Sequence, residues 1–242
     1  MKGLLTGLVE RCRNADGAPR GRRGLCKMRG NWNGWLLLLL LLMALPGCGG
    51  AASNAKKTGD VTQVTESTRI SDVIDDPLFG DCGRLLFPVD SGYWGGDTLG
   101  SLSLAWYSHI RPARTVGIVN ALREQASAGN RIFYRIYSDE EMRADPRKSD
   151  TGLFFFRGRP GARFALCSAG GGFVYVGAMH DSFPHAQELS KKGYNAFALI
   201  YRPGAGTACE DLARAIVFIH EHARELGVDA SDYSLWGGSA GA

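Results

Sequence analysis

Cysteine and histidine are too few and too scattered in this chain to form a recognisable metal site. The 242 residues include six cysteines and five histidines, and no C-x-x-C pair or His/Cys spacing among them suggests a zinc site. Structural and catalytic zinc sites usually show such spacings. The sequence therefore gives no support to metal catalysis, and it predicts no cofactor.

Residues 48–242, the body of the chain, also lack an excess of Lys and Arg over Asp and Glu. The formal net charge is +4, but residues 1–47 hold eight Lys or Arg against two acidic residues, a net of +6. The remainder therefore carries a net charge of −2. A nearly neutral, slightly acidic body argues against nucleic-acid binding.

No apolar run is long enough for a membrane-spanning helix, which needs roughly 20 residues. The run from Trp35 to Leu45 contains seven consecutive leucines, and its length suits the core of a signal peptide. We therefore expect export, with residues 1–47 as leader. Met28 is the expected true start, because residues 28–47 have a normal signal length.

The apolar run is closed by Leu45-Pro46-Gly47-Cys48, which resembles a bacterial lipobox. The resemblance implies that Cys48 becomes lipidated and anchors the protein on the extracytoplasmic face of the membrane. An uncleaved or generically cleaved signal is the alternative, and Arg22-Arg23 also allows a twin-arginine signal. Beyond Cys48, Cys82, Cys167 and Cys209 could form at most one disulfide.

After the leader, composition divides the chain into three parts. Residues 48–70 are rich in small and polar residues, which predicts a flexible tether. Residues 71–130 form an accessory segment that either packs on the core or walls a pocket. Residues 131–242 alternate between strand and helix patterns, which predicts an α/β fold with a mostly parallel sheet and helices on both faces. Strands are predicted at 132–137, 153–156, 163–167, 195–201 and 233–236, and helices at 112–128, 184–192 and 210–226.

Two glycine motifs follow neighbouring predicted strands, and both are candidate parts of a catalytic site. Gly237 to Gly241 is a G-x-S-x-G sequence after an apolar run, the setting of a nucleophile elbow that presents Ser239. Gly170 to Gly172 follows an earlier strand, and its backbone N–H groups can approach a substrate closely. Such donors stabilise the negative oxygen of a tetrahedral intermediate. Either motif alone can occur by chance, but their order and positions together favour a serine hydrolase.

From about Arg131 onward the chain resembles the α/β-hydrolase fold, in particular the bacterial esterase/lipase branch with an HGGG-type oxyanion loop. The most specific stretch, from Ala196 to Gly241, resembles the acetylesterase-like members of that branch. The resemblance implies Ser239 as nucleophile and an oxyanion hole formed by the N–H groups of Gly171, Gly172 and Ala240, with Gly237 and Gly241 shaping the elbow. It implies small acyl or acetyl esters as substrates, including those on carbohydrates. Ala169 stands where that family usually has the histidine of HGGG. Phe173 and Tyr175 either line an acyl pocket or serve ordinary packing.

The sequence does not identify the acid and the histidine that would complete a catalytic triad with Ser239. In the family resembled, an Asp or Glu and then a His follow the serine, so we expect these residues to be the N-terminal portion of the enzyme, truncated after the elbow and inactive alone. His180 and His185 stand before the serine, in the wrong order. His220 and His222 lie on a helix expected to pack against the sheet, and we expect them to be structural or exposed.

Two alternatives remain open. A serine peptidase of the prolyl-oligopeptidase type shares the fold and a G-x-S-x-G elbow, although such enzymes commonly take an oxyanion donor from a tyrosine. A non-catalytic surface lipoprotein with a hydrolase fold is the other, and an Asp/Glu and a His at later strand ends would exclude it. The oligomeric state is not predicted.

Overall fold

The computed structural model describes residues 62–242. The predicted leader, the start at Met28 and the lipidation site at Cys48 lie outside the described residues. Within 62–242, no helix combines the length and the apolar character needed to cross a membrane.

Seven strands and six α-helices make up the described part of the chain. The strands are β1 (Trp94–Gly95), β2 (Ser103–Leu104), β3 (Phe133–Tyr134), β4 (Gly152–Phe156), β5 (Arg163–Ser168), β6 (Asn195–Ile200) and β7 (Asp229–Gly237). The helices are α1 (Ile70–Ile74), α2 (Pro112–Ser127), α3 (Asp139–Ala144), α4 (Ser182–Lys191), α5 (Ala205–Glu221) and α6 (Ala223–Leu226). Short 3-10 helices cover Gly80–Leu86, Ser91–Tyr93, Pro146–Asp150, Ala178–His180 and Ser239–Gly241.

Five strands form the central sheet, in the order β3-β4-β6-β5-β7. β5 pairs in parallel with both β6 and β7, and the β3–β4 and β4–β6 pairs are antiparallel. Parallel neighbours need a crossover connection, and α4 and α5 supply it between β5, β6 and β7. The predicted α/β fold class is confirmed, with a sheet that is parallel on one side and antiparallel on the other.

Helices cover both faces of this sheet, as predicted. Along β4, the ring of Phe154 lies 5.0 Å from that of Phe183 in α4. Phe155 faces the opposite side, because successive side chains of a strand alternate between faces. There it lies 6.2 Å from Tyr134, which is in turn 6.2 Å from Phe218 of α5.

The accessory segment packs on the same core as the sheet. Leu85, Leu86 and Leu122 are fully buried and belong to the same apolar cluster as the strands. Arg123 of α2 pairs with Asp76 at 2.6 Å, which ties two parts of the segment together. The segment is thus packed against the sheet, and one of its loops reaches the candidate site described below.

The end of β6 is fixed by a buried ion pair. Arg202 follows β6, and its guanidinium donates to Asp211 of α5 at 2.7 Å. The side chains are 3% and 0% exposed, and Tyr137 donates its hydroxyl proton to the same carboxylate at 2.6 Å. This network holds the carboxyl end of β6 against the helix that leads on to β7.

Some predicted boundaries were wrong. The first predicted strand, 132–137, is reduced to Phe133–Tyr134, because its pairing with β4 covers only these two residues. The predicted helix 210–226 begins earlier, at Ala205, and is interrupted at His222. Gly227 ends it with a φ of +67°, which confirms the predicted glycine stop.

Candidate active site

Ser239 lies at a sharp strand-to-helix turn. β7 ends at Gly237, and a 3-10 helix begins at Ser239 itself. Ser239 has a φ of +52°, in the left-handed region that non-glycine residues seldom adopt. Backbone strain of this kind persists only where the surroundings enforce it, and it clusters at functional sites. Ser239 is exposed at this turn, while its role as nucleophile stays a prediction.

The two outer glycines of the motif are required by close backbone contacts. A Cβ on Gly237 would lie 2.6 Å from the Cα of Ala242 and in contact with the Gly241 carbonyl. A Cβ on Gly241 would lie 2.7 Å from the Ala169 carbonyl oxygen. Each distance is too short for a real Cβ. A side chain at Gly237 or Gly241 would therefore push the 3-10 helix Ser239–Gly241 away from the sheet.

The glycine-rich loop begins directly after β5, next to the elbow. β5 and β7 are paired neighbours, with Ser168 opposite Gly237. A Cβ on Gly170 would lie 3.0 Å from the Cβ of Ser239, so the loop and the serine are in contact. Gly171 and Gly172 have φ values of +142° and +61°, which glycine adopts without strain.

The three N–H groups predicted to form an oxyanion hole have no acceptor in the described structure. Within residues 62–242, none of the backbone N–H groups of Gly171, Gly172 and Ala240 donates a hydrogen bond. Unpaired donors beside an exposed serine are available to a substrate oxygen. The structure brings the two motifs together, as the sequence predicts, while the role of these donors stays a prediction.

Asp181 connects the loop to the elbow, and sequence reasoning missed it. Its side chain is 9% exposed. One carboxylate oxygen accepts the Gly170 N–H at 2.8 Å and the Tyr107 hydroxyl proton at 3.1 Å. A Cβ on Gly238 would lie 2.7 Å from that oxygen. The only signal in the sequence was an aspartate within the apolar run that follows the glycines.

Two tyrosines hold the loop through hydrogen bonds, one directly and one through Asp181. Tyr201, at the end of β6, donates its hydroxyl proton to the Ala169 carbonyl at 2.6 Å. Burial raises the pKa of Tyr201 to about 12, so the hydroxyl remains a donor. Burial and the neighbouring Asp181 also raise the pKa of Tyr107. Tyr201 thus contacts the loop at Ala169, the residue that directly precedes the three glycines.

Histidines near the loop do not reach the serine. Within the described part of the chain, no histidine forms a hydrogen bond with Ser239. His180 has a buried Nε2 without a partner, and burial lowers its pKa to about 4. His185 is exposed, with Nδ1 3.4 Å from Asp181. His222 pairs with Glu225 at 3.1 Å, at the far end of α5.

The predicted pocket residues have different surroundings. Tyr175 is 2% exposed and stacks on Tyr93 at 4.9 Å, so it serves packing. Phe173 is half-buried against the core, with a φ of +62°. The packing alternative therefore describes Tyr175, and Phe173 remains partly accessible beside the loop.

Metal-ligating and thiol groups are dispersed in residues 62–242. No three His, Cys, Asp or Glu side chains of this region are grouped as ligands of a metal ion. Cys82, Cys167 and Cys209 are all free thiols, and the first two are buried. Ser239 and the N–H groups of Gly171, Gly172 and Ala240 are therefore the groups of this site to which we assign a chemical role.

Comparisons with known proteins give partial structural likenesses. No family model matches the chain, and no curated protein matches it. An esterase of the Planctomycetes species Thermogutta terrifontis, Est2, is 29% identical over 38% of this chain and 36% of that chain, with a TM-score of 0.34. Its butyrate-bound form is 23% identical over 45% and 40% of the two chains, with a TM-score of 0.36. MGS-M1, an α/β-hydrolase enzyme from a Medee basin deep-sea metagenome library, is 21% identical over 35% and 40%, with a TM-score of 0.31. This chain therefore spans well under half the length of each of these three solved structures.

Proposed function

We propose that this protein is a carboxylic ester hydrolase of the α/β-hydrolase type that acts on small acyl or acetyl esters. The observation that carries the proposal is the φ of +52° at Ser239, at a strand-to-helix turn in contact with the glycine loop. Among the described residues, the N–H groups of Gly171 and Gly172 in this loop have no acceptor. A positive φ is costly for serine, and this cost supports a functional role for Ser239.

The proposed reaction follows from this arrangement. The Ser239 oxygen attacks the ester carbonyl, and its proton passes to a base. The carbonyl oxygen becomes an oxyanion, which accepts hydrogen bonds from Gly171, Gly172 and Ala240. Loss of one such donor typically slows catalysis by about 10²–10³-fold. The alcohol leaves, and water then releases the acyl group from Ser239.

Activation of the serine needs a histidine base. The family that the sequence resembles places this histidine, and the acid that orients it, after the serine. The five histidines of the chain all precede Ser239. The proposal therefore assigns the role of base to none of these five.

A fluorophosphonate probe tests the nucleophile directly, because it reacts with activated serines and spares unactivated ones. We expect the complete gene product to be labelled, with the adduct on the peptide that contains Ser239. Ser239→Ala should abolish labelling and the hydrolysis of ethyl acetate. Ser231→Ala, which removes an exposed serine of the same strand, should leave both unchanged. Labelling at another serine would overturn the assignment.

A non-catalytic surface protein is the second candidate, favoured by the missing hydrogen bond between Ser239 and any described histidine. In that case the probe would not react, although the fold would be intact by circular dichroism. The peptidase alternative has weaker support, because such peptidases commonly take an oxyanion donor from a tyrosine, whereas this chain has the glycine loop Gly170 to Gly172 before β6. Hydrolysis of a prolyl peptide but not of ethyl acetate would favour it.

We further propose that the protein is exported and held at the membrane by lipid on Cys48. The support is the leucine-rich run followed by the lipobox-like Leu45 to Cys48. Cells grown with an alkyne fatty acid should incorporate it into the protein. Cys48→Ser should remove the label and release the protein from the membrane fraction, whereas Cys209→Ser, at an exposed thiol, should not.

A further inference from the structure

Trp106 is an exposed aromatic side chain held in an unusual backbone conformation. It is 71% exposed and has a φ of +68°. Hydrogen bonds on both sides fix this turn: Ala105 N–H donates to Tyr93 O at 2.9 Å, and Tyr107 N–H donates to Leu104 O at 3.2 Å. Exposure and strain together at a large aromatic residue indicate a functional role rather than packing.

The indole ring of Trp106 lies directly against the glycine loop. A Cβ on Gly172 would be 3.0 Å from the ring. On its inner side the ring contacts Tyr175, at 5.6 Å between centroids, and Tyr93, at 6.2 Å. Neighbouring Tyr107 is anchored to Asp181. A rigid aromatic surface is therefore attached to the edge of the proposed oxyanion loop and open to solvent.

Polar groups border this aromatic surface. In the described part of the chain, the indole N–H of Trp106 and the hydroxyl of Tyr93 have no hydrogen-bond partner. An alkyl chain lying over them would leave both groups unpaired, which is unfavourable. A sugar ring suits them better, because it presents a flat C–H face to an aromatic ring and carries hydroxyls at its edge.

We propose that Trp106 is a stacking platform for the sugar ring of an acylated carbohydrate, with Tyr93 and the indole N–H bonding to its hydroxyls. The sugar is the alcohol part of the ester, and its acyl carbonyl points toward Gly171 and Gly172. This inference depends on the proposed ester hydrolase function and names its substrate class.

Steady-state kinetics on the complete gene product test the platform. The probes are methyl 2,3,4-tri-O-acetyl-β-D-xylopyranoside, ethyl acetate and phenyl acetate. Stacking energies imply that Trp106→Ala lowers the ratio of kcat/KM for the xyloside to that for ethyl acetate by about five- to tenfold. Trp106→Phe should keep most of the ratio. Tyr194→Ala, which removes an exposed aromatic ring beyond the opposite end of β6, should leave it unchanged.

Binding measured without turnover separates the two proposals. In Ser239→Ala, saturation-transfer NMR should detect the xyloside ring protons, and the added Trp106→Ala change should remove that signal. An unchanged kinetic ratio, or an equal fall for phenyl acetate, would overturn the sugar platform while leaving the esterase intact. Failure of the enzyme on all three esters, with the NMR signal present, would instead count against the proposed function.

Discussion

The carboxylate of Asp181 accepts the backbone N–H of Gly170 at 2.8 Å. Gly170 is also the residue of the loop that touches Ser239. Asp181 therefore holds the loop at the point where it meets the serine. Because the same oxygen accepts the Tyr107 hydroxyl proton, the accessory segment is joined to the same point.

Replacing Asp181 should impair turnover more than substrate binding. Asp181→Ala leaves the buried Gly170 N–H without a partner and frees the loop to shift. Misplacement of catalytic groups by about 1 Å can cost roughly 10²-fold in rate. We expect kcat for ethyl acetate to fall by about 10–10²-fold with little change in KM.

Two variants make the Asp181 test specific. Asp181→Asn keeps one acceptor oxygen and should fall between the wild type and Asp181→Ala. Asp232→Ala removes an exposed aspartate of β7, paired only with Arg163, and should leave kcat unchanged. Equal rates for Asp181→Ala and the wild type would show that the loop holds its position without this carboxylate.

Gly241 should tolerate no side chain. A Cβ there would meet the carbonyl oxygen of Ala169 at 2.7 Å, and such overpacking typically costs about 1–3 kcal/mol. Gly206, in α5, has no atom within 4 Å of its Cβ position. We therefore expect Gly241→Ala to lower the free energy of unfolding in urea, whereas Gly206→Ala should raise it by up to about 1 kcal/mol. A Gly241→Ala protein as stable as the wild type would contradict the packing of the elbow.

Local patterns predicted those parts of the fold that depend on neighbouring residues. The apolar run of β6 predicted that strand, and the three- and four-residue spacing of apolar residues predicted α5. The glycines of the G-x-S-x-G motif predicted the turn at Ser239. The contact between Tyr107 and Asp181 joins distant parts of the chain, so no spacing could reveal it. The length of β3 was overestimated, because the extent of a strand depends on its partner strand, and β3 pairs with β4 over only two residues.

Stability should depend on pH through His180. Burial lowers its folded-state pKa to about 4, below the ordinary value near 6.5. Between these values the unfolded chain binds a proton that the folded chain does not, so stability falls as pH drops from about 6.5 to about 4. Above about 6.5 the histidine is neutral in both states and contributes no slope.

His180→Phe isolates this contribution from the carboxylates, which also lose stability in acid. We expect the wild type to lose roughly 1–3 kcal/mol more than the variant between pH 7.5 and pH 4.5, measured by urea unfolding. His222→Phe, at an exposed histidine, should follow the wild type. Parallel curves for the wild type and His180→Phe would contradict the burial of this imidazole.

The buried pair of Arg202 and Asp211 should show strong coupling. Removing one partner leaves the other charge buried and unpaired, which typically costs about 3–5 kcal/mol. Replacing both by apolar residues removes both charges, so the double variant should cost less than the sum of the single variants. We expect Arg202→Met and Asp211→Leu to be coupled by about 1–3 kcal/mol in a double-mutant cycle of urea unfolding.

The exposed pair of Arg163 and Asp232 provides the comparison. Its ion-pair distance is 2.8 Å, close to the 2.7 Å of the buried pair, but its side chains are 58% and 63% exposed. Exposed pairs typically contribute about 1 kcal/mol or less, so its cycle should give a small coupling. Because distance is nearly constant between the pairs, a large difference in coupling isolates the effect of burial. Similar couplings would mean that Arg202 is stabilised mainly by Asp145 and Glu210, which also contact it.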